Sequence, residues 1–191
     1  MNNDGTPPLT TAERTFLREV AVRSVAAAAH GERAPDPVAI ADELGVPLTG
    51  RLAETGGAFV TLHEGEDLRG CIGTIVGHEP LALAVAANGV AAAAHDPRFA
   101  PVSPDELSNI TIEVSVLTPL REVAGPNDVI VGRHGILLEK NGRHAVFLPQ
   151  VAPEQGWDLA TTLAHLCRKA GLPTDAWRQG ARLHVFEAEV F

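Results

Sequence analysis

Behind Thr10, apolar residues recur at helical spacing: Phe16, Leu17, Val20, Ala21 and Val25 share one face and predict a helix that Gly31 ends. Thr10 and Glu13 read as a capping box at its start, each side chain satisfying a free backbone N–H. PDPVAIADELG predicts a short second helix closed by Gly45. After Gly56-Gly57 the period falls to two. Ala58 to His63 and the run from Leu68 onward predict a hairpin around Glu64-Gly65-Glu66-Asp67. Pro80 suits a helix's first turn, and LALAVAANGVAAAAH carries that helix to His95. Its alanines leave only a thin side-chain layer, so close packing on its neighbours is expected.

DPRFAPVSPDEL then reads as a loop. From Asn109 to Leu117 the pattern alternates, with Ile110, Ile112, Val114 and Val116 facing one way and Thr111, Glu113, Ser115 and Leu117 the other. Short strands are predicted at Asp128 to Val131 and Ile136 to Glu139. Asn141-Gly142 is the strongest hairpin turn, since both residues tolerate positive φ, and it leads into a strand from His144 to Leu148. Asp158 caps a helix running to Lys169 and stopped by Gly171, with Pro173 beyond it. ARLHVFEAEVF reads as one final strand. Hairpins outnumber any βαβ unit, so the class is α+β: a mainly antiparallel sheet flanked by helices. One domain is expected over residues 10–191, after a flexible N-terminal segment, 1–9.

Composition narrows the function classes. The chain has 191 residues, 45% hydrophobic and 20% charged, which suits a globular fold and excludes a disordered one. With 4% aromatics and no Tyr, the core must lean on aliphatic side chains. A net charge of −9 argues against a nucleic-acid groove and against an anionic membrane surface. A local basic patch would not show in that total. The N-terminus lacks a secretory pattern, and Leu81 to Ala94 is too short and too weakly apolar to span a bilayer, so a cytoplasmic protein is expected. Two cysteines, Cys71 and Cys167, make no disulfide scaffold.

No H-x-x-x-H, H-E-x-x-H or C-x-x-C spacing occurs among eight histidines and two cysteines, so no metal site is expected. Gly70, Gly73 and Gly77 fit neither the dinucleotide fingerprint nor Walker A, and no cofactor is expected. Cys71, in LRGCIG, has two readings. As a nucleophile it would have Arg69 on the same face of an extended strand, lowering the thiol pKa, and flanking glycines leaving room for a substrate. It would also need a proton acceptor and N–H donors nearby. As a small core residue in a glycine turn it needs nothing more, and spacing alone favours that reading. Cys167, among Leu163, Leu166 and Ala170, reads as buried packing. His134 and His95 stand in loops that could expose them. Glu113 and Ser115 lie on the polar face of an apolar strand; if covered, they need partners such as Arg69 or Arg98.

Taken together, GGAFVTL, LRGCIGT, DPRF, IEVSVLTP, GRHGILL, FLPQVAPEQGWD and LCRKAGLP resemble in order and spacing the AMMECR domain family, whose microbial members are called AmmeMemoRadiSam system protein A. The resemblance runs from about Phe16 to Phe186. It implies an α+β fold in two parts, a larger lobe on an antiparallel sheet and a smaller one, with LRGCIG near a cleft between them. It also implies two partners: a Memo-like protein, similar to metal-dependent dioxygenases, and a radical SAM protein. Carried onto this sequence, its motifs select Cys71, His134 and Glu113 as candidate catalytic groups. Arg69, Gly70, Gly73, Asp96, Arg98, Ser115 and Gln150 become candidate contacts to a small polar ligand. Two hypotheses follow: an enzyme or enzyme component with Cys71 as nucleophile, or a non-catalytic binding or adaptor subunit serving those partners.

Overall fold

A computed structural model describes residues 7–191 of the chain. Five helices and eight strands divide into two compact units, the first formed by Pro7–Leu117 with Glu189–Phe191, the second by Thr118–Ala188. Each unit has its own four-stranded antiparallel sheet and its own core, as the α+β reading anticipates.

In the first unit, α1 (Thr11–Ala29) starts at the expected capping box: Glu13 N–H donates to Thr10 Oγ1, and the Thr10 N–H donates to Glu13. α2 (Pro37–Leu44) is capped by Asp36 and closed by Gly45 at φ 64°. β1 (Ala58–Glu64) and β2 (Asp67–Thr74) form the predicted hairpin, with Gly65 at φ 61° in its turn. The sheet order is β2-β1-β3-β8, where β3 is Ile110–Leu117 and β8 is Ala188–Val190, so β2 lies at an edge. Ala58, Val60, Leu62, Val114 and Val116 face a core shared with Phe16, Leu17 and Val20 of α1 and Val85 of α3 (Leu81–Ala94). The alanine-rich α3 packs as closely as expected. A Cβ on Gly89 would lie 3.1 Å from the Ser24 Cβ, and one on Gly70 would lie 2.4 Å from the Ala92 carbonyl oxygen.

In the second unit the order is β4-β7-β5-β6: β4 Arg121–Val123, β7 Arg182–Phe186, β5 Gly135–Lys140, β6 Arg143–Phe147. Asn141 and Gly142, at φ 52° and 74°, make the anticipated turn between β5 and β6. α4 (Val151–Glu154) is a single turn, and α5 (Leu159–Lys169) covers the sheet with Leu163, Leu166 and Cys167. As expected, Asp158 caps α5, accepting the Thr161 N–H at 2.8 Å.

Two expectations need correction. Residues 128–131 form no strand. Pro126–Asp128 is a 3-10 turn, and the Ile130 carbonyl accepts the N–H groups of Arg133 and His134, so the backbone that a ladder would need is used locally. The C-terminal run is two strands, not one: β7 belongs to the second sheet and β8 to the first. At the break between them, Thr118 and Glu187 exchange backbone and hydroxyl hydrogen bonds at 2.9 Å. Of the segment 1–9, residues 1–6 lie outside the described residues. The last three are held: Leu9 is buried, its N–H donates to Glu189, and the Pro7 carbonyl accepts from Arg51.

Candidate functional site

Register places Cys71 before any chemistry is considered. Thr61 of β1 pairs with Cys71 on one side and with Glu113 of β3 on the other. Val60, Leu62 and Val114 point into the core, so their neighbours Thr61, Cys71 and Glu113 form a row across the opposite face of the sheet. Gly73, Phe59 and Ser115 form the next row. Thr61 Oγ1 donates to Cys71 Sγ at 3.3 Å, and Cys71 is half-buried. Among the described residues no hydrogen bond or ion pair engages the Glu113 carboxylate.

Because β2 is an edge, the outward backbone groups of Cys71 have no strand to pair with. The DPRF segment supplies the partners. Asp96 Oδ2 accepts the Cys71 N–H at 2.9 Å, and Arg98 Nη2 donates to the Cys71 carbonyl at 3.2 Å. The two side chains also bind each other, Nε to Oδ1 at 2.9 Å and Nη2 to Oδ2 at 2.7 Å. Hydrogen bonds from Arg98 hold the Asp96 carboxyl far below the usual carboxylate range, outweighing a burial that leaves its side chain 2% exposed; the Cys71 N–H adds to the effect.

Arg69 is committed elsewhere. A bulge beside Leu62 and His63 interrupts the alternation that would align residues 69 and 71. The Arg69 guanidinium bonds Glu106 at 2.8 Å and the Ala100 carbonyl at 2.9 Å. Glu106 is pulled down to about 2, first by Arg69 and then by the Ser103 N–H and hydroxyl. Phe99 lies 5.9 Å from the Arg69 guanidinium carbon and 5.4 Å from that of Arg98. The two arginines that the motifs offer as anion binders are thus each neutralised by a carboxylate.

The glycines are explained by the protein's own atoms. The space beside Gly70 is filled by the Ala92 carbonyl, and a Cβ on Gly73 would meet the Phe59 ring at 2.3 Å. Ser115 is buried. Eight of the ten candidates therefore fall in the first unit, around β1, β2, β3 and the segment after α3.

His134 and Gln150 belong to the second unit. His134 is buried, its Nδ1 accepts the Ile130 N–H at 3.0 Å, and burial pushes its pKa down. Gln150, half-buried, precedes α4. Cys167 is fully buried and burial pushes its thiol up, as a packing role requires. Among the described residues no group of three or more His, Cys, Asp and Glu is placed to hold a metal, and no helix is long and apolar enough to cross a membrane.

Two site residues escaped the sequence reading. Glu106 had a signal: Ser103-Pro104-Asp105-Glu106 fits a capping box, and the structure forms it. Thr61 had none, because only the cross-strand register brings it to Cys71.

With this geometry in hand, comparison with known proteins is informative. The AMMECR1 family model matches residues 18–191. Protein MK0488 of Methanopyrus kandleri is 46% identical over 155 residues, 76% of this chain and 75% of its own length. Protein Mbar_A1807 of Methanosarcina barkeri is 37% identical over 188 residues, 96% of this chain and 91% of its own. The crystal structure of the uncharacterized protein PH0010 from Pyrococcus horikoshii superposes with a TM-score of 0.79 at 36% identity, covering 92% of this chain and 88% of that one.

Proposed function

The chain belongs to the AMMECR1 family, and on that premise we propose that it is an enzyme, or the component of one, acting on a small polar substrate with Cys71 as nucleophile. One observation carries this reading: the sulfur of half-buried Cys71 accepts the Thr61 hydroxyl while both outward backbone groups of the same residue are clamped by the Asp96–Arg98 pair. The Thr61 hydroxyl fixes the sulfur's position, and sulfur is the nucleophilic atom of a cysteine. A fixed backbone keeps that sulfur where a substrate must meet it. Glu113, one strand beyond Thr61 in the same row, is the proton carrier. Asp96, Arg98, Arg69 and Glu106 are positioning residues in this reading, and Gly70 and Gly73 let the strand pack.

The test is alkylation by iodoacetamide at neutral pH, followed by mass spectrometry, with buried Cys167 as internal reference. Rapid labelling of Cys71 while Cys167 stays unlabelled is expected, together with several-fold slower labelling in Thr61→Val. If both cysteines react only on unfolding, Cys71 is no nucleophile.

A second reading has its own support. Edge protection and packing account for Asp96, Arg98, Gly70 and Gly73 without any chemistry. The chain would then be a binding or adaptor subunit, and the family resemblance points to Memo-like and radical SAM proteins as its partners. Undiminished co-purification of Cys71→Ala with such partners is the result that would favour it.

A further inference from the structure

Charge is unevenly divided along the chain. The described first unit carries seven Lys and Arg against sixteen Asp and Glu, whereas the second carries eight against seven. Six of those eight cations gather at one end of the second unit: Lys140 and Arg143 at the β5–β6 turn, Arg168 and Lys169 in the last turn of α5, Arg178 and Arg182 beside β7. Contacts tie the group together. Lys140 donates to the Ala176 and Gln179 carbonyls, Arg143 to that of Gly171, Lys169 to that of Val146, and Arg182 pairs with Glu139. Against these six positive charges stand Glu139, which pairs with Arg182, and Asp175 in the groove lining.

We propose that this end of the second unit is a docking surface for an acidic segment of a partner protein. A carbonyl positions a cation without cancelling its charge, so Lys140, Arg143 and Lys169 are held in place and still positive. Lys169 lies 5.0 Å from the Phe147 ring centre and Arg178 4.4 Å from that of Trp177, which restrains them further. Side chains already ordered lose less freedom on binding than free surface lysines do. A solvated face needs no such ordering.

The shape selects the class of partner. A groove of about 420 Å³ lies at this end, lined by Lys140 and Arg178, by Asp175 and Gln179, and by the apolar Leu172, Pro173 and Ala176. Apolar lining beside cations suits a peptide that alternates carboxylates with apolar side chains, because its apolar groups meet Leu172, Pro173 and Ala176 while its carboxylates meet the surrounding cations. A phosphodiester backbone has nothing to place on that apolar lining. A long polyanion would also meet the rest of this chain, whose net charge is −9.

The experiment titrates the full chain against a fluorescent peptide alternating Glu with Leu, and against single-stranded RNA of similar length, over a range of salt concentrations. Peptide binding that weakens with salt is expected, with at least about tenfold loss in the triple variant Arg168→Glu, Lys169→Glu, Arg178→Glu. Arg178→Glu alone, whose side chain rests only on the Trp177 ring, should lose part of the affinity even if the triple variant does not fold. Arg33→Glu, in the first unit, should leave binding unchanged. No peptide binding, binding indifferent to these reversals, or preference for RNA would each overturn the proposal.

Discussion

The Asp96 carboxylate accepts the Cys71 amide hydrogen at 2.9 Å across 25 residues of chain. That bond joins the segment after α3 to the edge strand that carries the sulfur. It also makes Asp96 a support for the strand in both readings of the site, enzymatic or adaptor.

Replacing Asp96 by Asn keeps an acceptor for the Cys71 N–H but removes the charge that Arg98 faces. A loss of about 2 kcal/mol is expected in urea unfolding, the range for hydrogen bonds to a charged group. The pH dependence follows from the sign of the shift. Asp96 and Glu106 both hold protons less tightly folded than unfolded, so the unfolded state binds more protons and stability rises with pH. Their contribution is complete above the ordinary carboxylate values of about 4. It is lost as pH falls, Glu106 at about 2 and Asp96 later still. Asp96→Asn should flatten that acid limb, and an unchanged limb would contradict the assignment.

His134 acts in a different window. Burial lowers its pKa, so the folded state favours the neutral ring, whose Nδ1 accepts the Ile130 N–H. Its contribution is complete above the ordinary histidine value of about 6.5 and declines as pH drops through and below that value. His134→Ala should cost about 1–3 kcal/mol by orphaning the Ile130 N–H and should remove the decline between neutrality and pH 5. The measurement is the melting temperature against pH for both proteins.

Gly70→Ala tests whether that glycine serves packing. The new Cβ would lie 2.4 Å from the Ala92 carbonyl oxygen, part of a helix backbone that cannot swing aside. Destabilisation of about 1–3 kcal/mol is expected. Gly125→Ala, where nothing lies within 4 Å, should change the melting temperature little. Equal tolerance of the two would return Gly70 to the list of ligand contacts.

Glu189 of β8 accepts from Arg51, Arg14 and the Leu9 N–H. Burial alone would raise its pKa; these partners bring it below the usual value. Arg51 and Glu189 side chains are 9% and 11% exposed, so Arg51→Ala leaves a buried carboxylate with the more exposed Arg14 as its remaining charged partner. A loss of about 1.5–3 kcal/mol in chemical denaturation is expected, the range for a hydrogen bond between charged groups. Arg51→Ala with Glu189→Gln should recover part of it, since the under-compensated buried charge is gone.

Local chemistry was legible from the sequence wherever neighbours in the chain decide it. The Thr10–Glu13 box, the Asp158 cap, the Asn141-Gly142 turn and the alternation of Ile110 to Leu117 each depend on a few adjacent residues, and each formed. So did the edge-of-hairpin place of LRGCIG. What distant segments decide was not legible. Whether HVFEAEVF is one strand or two depends on which sheets receive Val185 and Phe191, and a period-two pattern reads the same in either. Arg69 and Arg98 look like free cations in the chain, because their carboxylates, Glu106 and Asp96, are assigned only by folding and register. The sequence determined α1, α2, α3 and α5, the hairpin turns and the α+β class. Tertiary structure alone decided that Thr61 serves the Cys71 sulfur and that the arginines hold the strand, because hydrogen bonds between remote residues follow from position in space and leave no spacing in the chain.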